Sequence, residues 1–254
     1  MNVEPPAVLA PSELSEATGS VPVGPSLRRP VQLIAGAALL VTPLLIVGGI
    51  LTSPPQESRS TADYIESLAR DPWLSSVSAT LLHHGWVAMA FGLVVAMGLV
   101  RGRRGRVLTL IGGVLGGFSA VQMSGLLLND YFLVALGTHL SSADAVGVAD
   151  AMMVQGDLLS ALWWQTGKGA ILLPVFLYAG LARAGVISWW VVPLSLFPMV
   201  APYVVMGLVG GSAGQLIGAS FLGLVAGGVV GLICYLPTVL VGVRLINRSR
   251  LLDA

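Results

Sequence analysis

The feature that most constrains the fold of this 254-residue chain is a series of apolar runs, each long enough to cross a lipid bilayer. A helix needs about 20 apolar residues to span the ~30 Å hydrocarbon core. Charged residues make up only 10% of the chain and the mean hydropathy is +0.86, which is too little polar surface for a water-soluble domain. The sequence predicts an all-α, polytopic membrane protein, a bundle of six transmembrane helices at 31–51, 76–100, 107–128, 158–182, 187–210 and 215–245.

The arginines are divided unevenly between the two ends of these runs. Ten flank one end, before the first run, in the RGRRGR loop at 101–106, and after the fourth and sixth runs. Only Arg59 and Arg70 fall at the other end, among most of the acidic residues. Because short cytoplasmic loops are enriched in Lys and Arg, both termini are predicted to be cytoplasmic. The lysine-poor, Ala-, Gly- and Arg-rich composition is typical of a bacterium with a GC-rich genome, so we expect the inner membrane.

The polar segments outside the runs are predicted to differ on the two sides of the membrane. Residues 1–30, rich in proline, are expected to form a disordered cytoplasmic tail, and residues 246–254 are expected to form a cytoplasmic tail at the other end of the chain. The long outer loops at 52–75 and 129–157 each contain a helix-capping serine or threonine followed by acidic residues, at Ser60 or Thr61 and at Ser141 or Ser142. These loops are predicted to contain short amphipathic helices.

The few polar side chains within the apolar runs lie at one depth. Counted at 1.5 Å per residue from the arginine-rich side, His84, Gln122, Lys168 and Tyr203 each lie about 22–25 Å away, in the outer third of the core. Lys168 is the only lysine in the chain. Charged groups inside a membrane are normally paired or line a watery cavity, so we expect these residues to face one another. With the carboxylates and tryptophan on the same stripes, the predicted ligand-binding residues are His84, Gln122, Asp130, Asp157, Trp164, Lys168 and Tyr203.

Three roles are open for Lys168. It can supply positive charge to an outward-facing pocket, or it can form a structural ion pair with Asp130 or Asp157. Its long stem can instead extend past Trp163 and Trp164 to the lipid headgroups. The direction of the side chain, toward the bundle or toward lipid, distinguishes these alternatives.

Small residues recur at every fourth position in two of the runs, where they allow helix backbones to approach closely. In the third run these residues are Gly112, Gly116, Gly113 and Gly117, and in the sixth they include Gly223, Gly227 and Gly231. We expect packing within the chain, with a homodimer through Gly223, Gly227 and Gly231 as the alternative. The fifth run contains Pro193, Pro198 and Pro202, which predict a hinge or a helix lining a pathway.

These observations leave three hypotheses for function. The first is binding or transport of a small polar or anionic ligand through an outward-facing pocket. The second is an accessory, assembly or sensor subunit that acts through protein–protein contacts. The third is a metal- or haem-dependent membrane enzyme, for which His83, His84 and His139 are the candidate ligands.

Other functions find little basis in the sequence. No cofactor is predicted, because the chain lacks an HExxH motif and any pair of histidines at i, i+4 spacing. The single Cys234 excludes an intramolecular disulfide. Nucleic acid is not an expected partner, since membrane topology already accounts for the RGRRGR loop, and the lipid bilayer is the expected surrounding.

Overall fold

A computed structural model describes residues 28–56, 58, 60–154, 158–201, 203–204 and 221–250. It is 85% helical, and its described residues contain no β-strand, as expected for an all-α protein. In chain order the α-helices are α1 (Arg28–Thr52), α2 (Thr61–Arg70), α3 (Pro72–Ala96), α4 (Arg106–His139), α5 (Ser142–Val154), α6 (Leu158–Lys168), α7 (Pro174–Arg183), α8 (Val191–Leu194), α9 (Phe221–Cys234) and α10 (Leu236–Arg250). Short 3-10 helices occupy Met97–Leu99, Gly169–Ile171 and Phe197–Met199.

Within the described residues, three helices are long and apolar enough to cross a membrane: α1, α3 with its 3-10 extension, and α4. A fourth span results if α9 and α10, bent by 49° where they meet, are counted together. The structure therefore supports three or four of the six predicted spans. The sixth run, predicted as one helix over 215–245, is bent because Pro237 has no N–H and its ring clashes with the preceding turn.

The fourth run also differs from the single straight helix predicted at 158–182. It is divided into α6, a 3-10 turn and α7, of 11, 3 and 10 residues. Neither α-helix reaches more than about 17 Å, well short of the ~30 Å core. Pro174 begins α7 and cannot continue the helix that precedes it. In the fifth run, predicted at 187–210, the described residues form α8, a 3-10 helix and further helical residues at 201, 203 and 204, whereas residues 202 and 205–210 lie outside the described part.

Helix ends differ from the predicted boundaries at three places. The first helix begins at Arg28, inside the predicted tail of residues 1–30, of which 1–27 lie outside the described part. The helix that contains the third run, α4, ends at His139 instead of residue 128, and α10 continues to Arg250 instead of residue 245. The last extension has a visible cause, because Arg248 donates hydrogen bonds from Nη1 to the carbonyls of Gly98 and Leu99.

Close helix contacts in the bundle depend on glycine, as the small-residue rows predicted for α4. One row faces α7: a Cβ added at Gly112 would lie 2.6 Å from the backbone carbonyl carbon of Phe176. The other row faces α3: a Cβ added at Gly117 would lie 2.8 Å from Val94 Cγ2. In a lipid surrounding, which offers no hydrophobic drive for helix association, such close backbone approach is expected to stabilise the bundle.

The glycine row of the last run also contacts its own chain. A Cβ added at Gly231 in α9 would lie 2.9 Å from Val47 Cγ2 in α1. Gly231 therefore packs against a helix of its own chain. The homodimer through Gly223, Gly227 and Gly231 stays a prediction.

A separate helical layer covers the end of the bundle that carries the acidic residues, here called the acidic end. Helix α4 has 34 residues and extends about 50 Å, roughly 20 Å longer than a hydrocarbon core. Its last turns pack with the two short helices expected in the long loops, α2 and α5, around Ile65, Leu68, Leu133, Ala145 and Ala149. Ser60 Oγ accepts from the N–H of Asp63, and Ser141 Oγ from that of Asp144, so each serine caps its helix.

Candidate functional site

Residues next to the predicted polar cluster meet at one level of the bundle. His83 Nδ1 lies 2.6 Å from Ser124 Oγ, which joins α3 to α4. A Cβ added at Gly167 in α6 would lie 2.5 Å from Leu126 Cδ1 in α4. The three helices that carry His84, Gln122 and Lys168 are therefore in contact at the depth at which those residues occur.

The side chains of the predicted set do not converge, however. His84 is exposed, and its Nδ1 lies 2.9 Å from the carbonyl oxygen of Thr80 in its own helix. Lys168 is exposed, with Nζ 5.7 Å from the ring centroid of Trp164, a cation–π contact on the surface of α6. Tyr203 is 72% exposed, and Gln122 is half-buried. Asp157 lies outside the described residues.

Asp130 belongs to the acidic end, where Tyr64 holds it. Tyr64 Oη donates to Asp130 Oδ1 at 2.6 Å and so joins α2 to α4. Burial raises the pKa of Tyr64, and the charge of Asp130 raises it further, so the hydroxyl stays protonated and remains a donor. A second bond, from Thr61 Oγ1 to Asp150 Oδ1 at 3.0 Å, joins α2 to α5. These bonds assign Asp130 a role in holding the end layer together.

The histidines considered as metal ligands are not gathered either. His83 and His84 are adjacent, with ring centroids 4.9 Å apart, but His139 ends α4 on an exposed face. His139 lies 15 residues beyond Ser124, the partner of His83, or about 22 Å along the helix. In the described part of the chain, no three His, Cys, Asp or Glu side chains are close enough to share a metal ion.

Three interrupted segments surround a small, partly open cavity, here called the break cavity. Its volume is about 30 Å³. It touches the turn between α6 and α7, the end of α8 with the 3-10 helix that follows, and the junction of α9 and α10. The lining residues are Trp86, Met89, Ala170, Ile171, Pro174, Tyr178, Ser195, Pro198, Cys234, Tyr235, Pro237 and Thr238.

The break cavity has polar groups but no charged lining residue. Tyr178 Oη and Thr238 Oγ1 are 3.0 Å apart and link α7 to α10. Ser195 Oγ donates to the carbonyl oxygen of Val192 at 2.6 Å. The rings of Trp86 and Tyr235 meet edge to face, with centroids 6.4 Å apart. Hydroxyls and aromatic rings near the middle of the bundle can contact a small uncharged polar solute or a monovalent cation.

Sequence reasoning did not find this site, although one pattern in the sequence points to it. Helix breakers occur in all three interrupted runs, at Pro174, Pro198 and Pro237. Of these prolines, only those of the fifth run predict a hinge or a lining helix in the sequence analysis. The predicted binding residues share one depth, and Tyr178 and Thr238 are not among them.

A second cavity, of about 50 Å³, lies between α4, α5 and α6 toward the acidic end. Trp164 of the predicted set is part of its wall, together with Trp163. The remaining lining residues are Leu126, Asn129, Leu133, Ala149 and Met152, so the amide of Asn129 and the indole N–H groups are its side-chain polar groups. This cavity is mainly an apolar gap beneath the end layer.

Comparison with known proteins gave no further identification: no family model, no curated protein and no solved structure matches the chain.

Proposed function

We propose that this protein binds a small polar solute at the break cavity and carries it across a membrane, and that the solute is uncharged or cationic. The observation that carries the proposal is the convergence of three interrupted segments on one cavity with hydroxyl and aromatic walls. In membrane transporters, discontinuous helices commonly form the binding site, because their unwound turns expose backbone groups that a continuous helix uses internally. The proposed location is a bacterial inner membrane with the arginine-rich end in the cytoplasm.

The charge class of the solute follows from the walls of the cavity. Helices α6 and α9 end beside it, and α7 and α10 begin there, so helix ends of both signs meet and their partial charges offset one another. The wall has no charged residue to pair with an anion, whereas its hydroxyls and aromatic rings suit an uncharged polar solute or a cation. The expectation of an anionic ligand rested on Lys168, which is exposed on α6 and does not line the break cavity. That expectation stays a prediction.

The volume of the cavity limits the size of the solute that fits in the conformation described here. About 30 Å³ accommodates one or two water molecules. A larger solute requires α7 or α10 to move, and both begin at or next to a proline that breaks the helix before it. Movement about such element ends is the usual form of a hinge. The conformation described here is thus proposed to be a closed state, in which the hydrogen bond between Tyr178 and Thr238 holds α7 against α10.

The test uses purified protein in proteoliposomes and small probes of three charge classes. The probes are ammonium and potassium chloride, urea and glycerol as neutral solutes, and sodium acetate. We expect at least one cationic or neutral probe to enter faster than it enters empty liposomes, and acetate to enter at the same rate as it enters empty liposomes. Tyr178→Phe and Thr238→Val should change this flux, since each removes one hydroxyl from the cavity wall.

Two control variants separate a cavity effect from general damage. Tyr131→Phe also removes a hydroxyl that joins two helices, where Tyr131 bonds to Thr80 and to the carbonyl of Ser76, but outside the cavity. Lys168→Ala removes the exposed lysine. Both should leave flux unchanged. Loss of flux in Lys168→Ala with normal flux in Tyr178→Phe would indicate that the solute binds at the predicted outward-facing pocket and not at the break cavity. If no probe enters faster than it enters empty liposomes, transport of these solutes is refuted.

The acidic end layer favours a second candidate function, an accessory or assembly subunit. This layer has its own apolar core, and Trp73 beside it is 74% exposed. Large exposed aromatic side chains are frequent in protein interfaces and at membrane surfaces. Purification under mild detergent should recover a partner at constant ratio if this function holds, and Trp73→Ala should release it. The proposal of a metal- or haem-dependent enzyme gains no support from the positions of His83, His84 and His139.

A further inference from the structure

We propose that a cleft at the arginine-rich end of the bundle binds a phosphate-bearing anion, with a membrane phospholipid headgroup as the favoured source. The cleft has a volume of about 530 Å³. Three arginines reach it from two segments: Arg101 follows the 3-10 extension of α3, and Arg244 and Arg248 belong to successive turns of α10. Leu99, Gly185, Val186 and Asn247 complete the wall.

The charges of this cleft are not balanced within the described protein. Arg248 experiences Coulomb repulsion from both Arg101 and Arg28. In the described ranges, no carboxylate forms a salt bridge with Arg101, Arg244 or Arg248. Concentrated positive charge in a concave site raises the local concentration of anions. The arrangement therefore favours an external anion that neutralises several arginines together.

The geometry of Arg248 suits a phosphate in particular. Its Nη1 donates to the carbonyls of Gly98 and Leu99 at 3.0 and 2.6 Å, which fixes the plane of the guanidinium. Both bonds use the same nitrogen, so the donors on Nε and Nη2 remain for a ligand. A guanidinium oriented in advance loses less freedom when it binds, and its planar fork matches two oxygens of a phosphate.

The position of the cleft favours a lipid headgroup over free phosphate. Arg101 lies just beyond the end of a 28-residue membrane-spanning segment, Pro72–Leu99, at the level where headgroups occur. The wall combines the arginines with Leu99 and Val186, so a phosphate and the start of an acyl chain both find complementary surface. Basic pockets between transmembrane helices are a recurrent means of binding anionic headgroups.

The experiment measures the affinity of detergent-solubilised full-length protein for three probes, by native mass spectrometry and by thermal shift. The probes are dioctanoyl phosphatidylglycerol, inorganic phosphate, and dioctanoyl glycerol, which lacks the phosphate. The test variant Arg101→Gln/Arg244→Gln leaves Arg248 and its backbone bonds in place. The control Arg103→Gln/Arg104→Gln removes the same charge from exposed positions that do not line the cleft.

Wild-type protein should bind phosphatidylglycerol and not dioctanoyl glycerol. Each lost arginine should weaken binding about fivefold, so the test variant should lose about 25-fold and the control less than about twofold. If inorganic phosphate also binds, and is weakened by the test variant but not by the control, the site recognises phosphate in general. If inorganic phosphate does not bind while phosphatidylglycerol does, the site recognises a lipid. Equal losses in the two variants, no loss in the test variant, or no binding of either phosphate probe to wild-type protein would overturn the proposal. If the double variant fails to fold, Arg244→Gln alone should show the fivefold loss.

Discussion

Replacement of Gly112 by alanine should weaken the bundle, because the space between α4 and α7 is filled by backbone. A Cβ at this position would lie 2.6 Å from the carbonyl carbon of Phe176 and 2.7 Å from Leu177 Cα, and closer still to Leu177 N. Backbone atoms cannot rotate away as a side chain does. The helices must therefore separate by about 1 Å or more to restore ordinary contact near 3.5 Å.

The size of the effect follows from two opposing contributions. A gap of 0.5–1 Å already removes roughly a quarter to a half of the dispersion attraction between the surfaces that separate. Overpacking of this kind costs about 1–3 kcal/mol, and contact with rigid backbone places Gly112→Ala near the upper end. Alanine recovers up to about 1 kcal/mol through its higher helix propensity. The net loss in free energy of unfolding should be about 2 kcal/mol.

Two matched variants calibrate this prediction. Gly116→Ala places its Cβ 3.2 Å from Pro174 Cγ, a tight contact that a small shift relieves, and should cost less. Gly147→Ala in α5 meets no atom within 4 Å and should be neutral or stabilising by up to about 1 kcal/mol. Unfolding in mixed micelles with increasing SDS, followed by helical circular dichroism, gives the free energies. The packing argument fails if Gly112→Ala is as stable as Gly147→Ala.

Two further predictions concern polar bonds between helices. Tyr64→Phe removes the hydroxyl that donates to Asp130 and should lower stability by about 1.5–3 kcal/mol. The pKa of Tyr64 is raised above its ordinary 10.0, so the unfolded chain releases this proton first and stability falls as pH rises above 10. The loss of stability that Tyr64 causes above pH 10, measured by thermal unfolding between pH 9 and 11, should be absent in Tyr64→Phe. His83→Ala, which breaks the bond to Ser124, should lower stability by about 0.5–1.5 kcal/mol, whereas His84→Ala should change it by less; equal losses would contradict the assigned directions.

Properties that depend on local composition and helix periodicity were predictable from the sequence. Long apolar runs predict an all-helical chain with membrane spans, because a spanning segment must satisfy its backbone hydrogen bonds internally, and the described residues are helical with three or four candidate spans. Capping serines at Ser60 and Ser141 marked the two short helices of the acidic end. The 1.5 Å rise per residue placed the polar residues at one level along their helices, and α3, α4 and α6 do meet at that level. The depth of that level in a membrane stays a prediction.

The direction of each side chain and the sites of helix interruption were decided by tertiary contacts. His83 and His84 are neighbours that differ by about 100° around the helix, and only the position of Ser124 on α4 selects His83 for the interface. Pro174 and Pro237 are visible in the sequence, yet prolines occur in many continuous membrane helices, as Pro43 does in α1. Whether a proline breaks a span depends on neighbours that can satisfy the freed backbone groups. Sequence alone thus determined the helical class and the level of the polar groups along their helices, while packing decided which of them face one another.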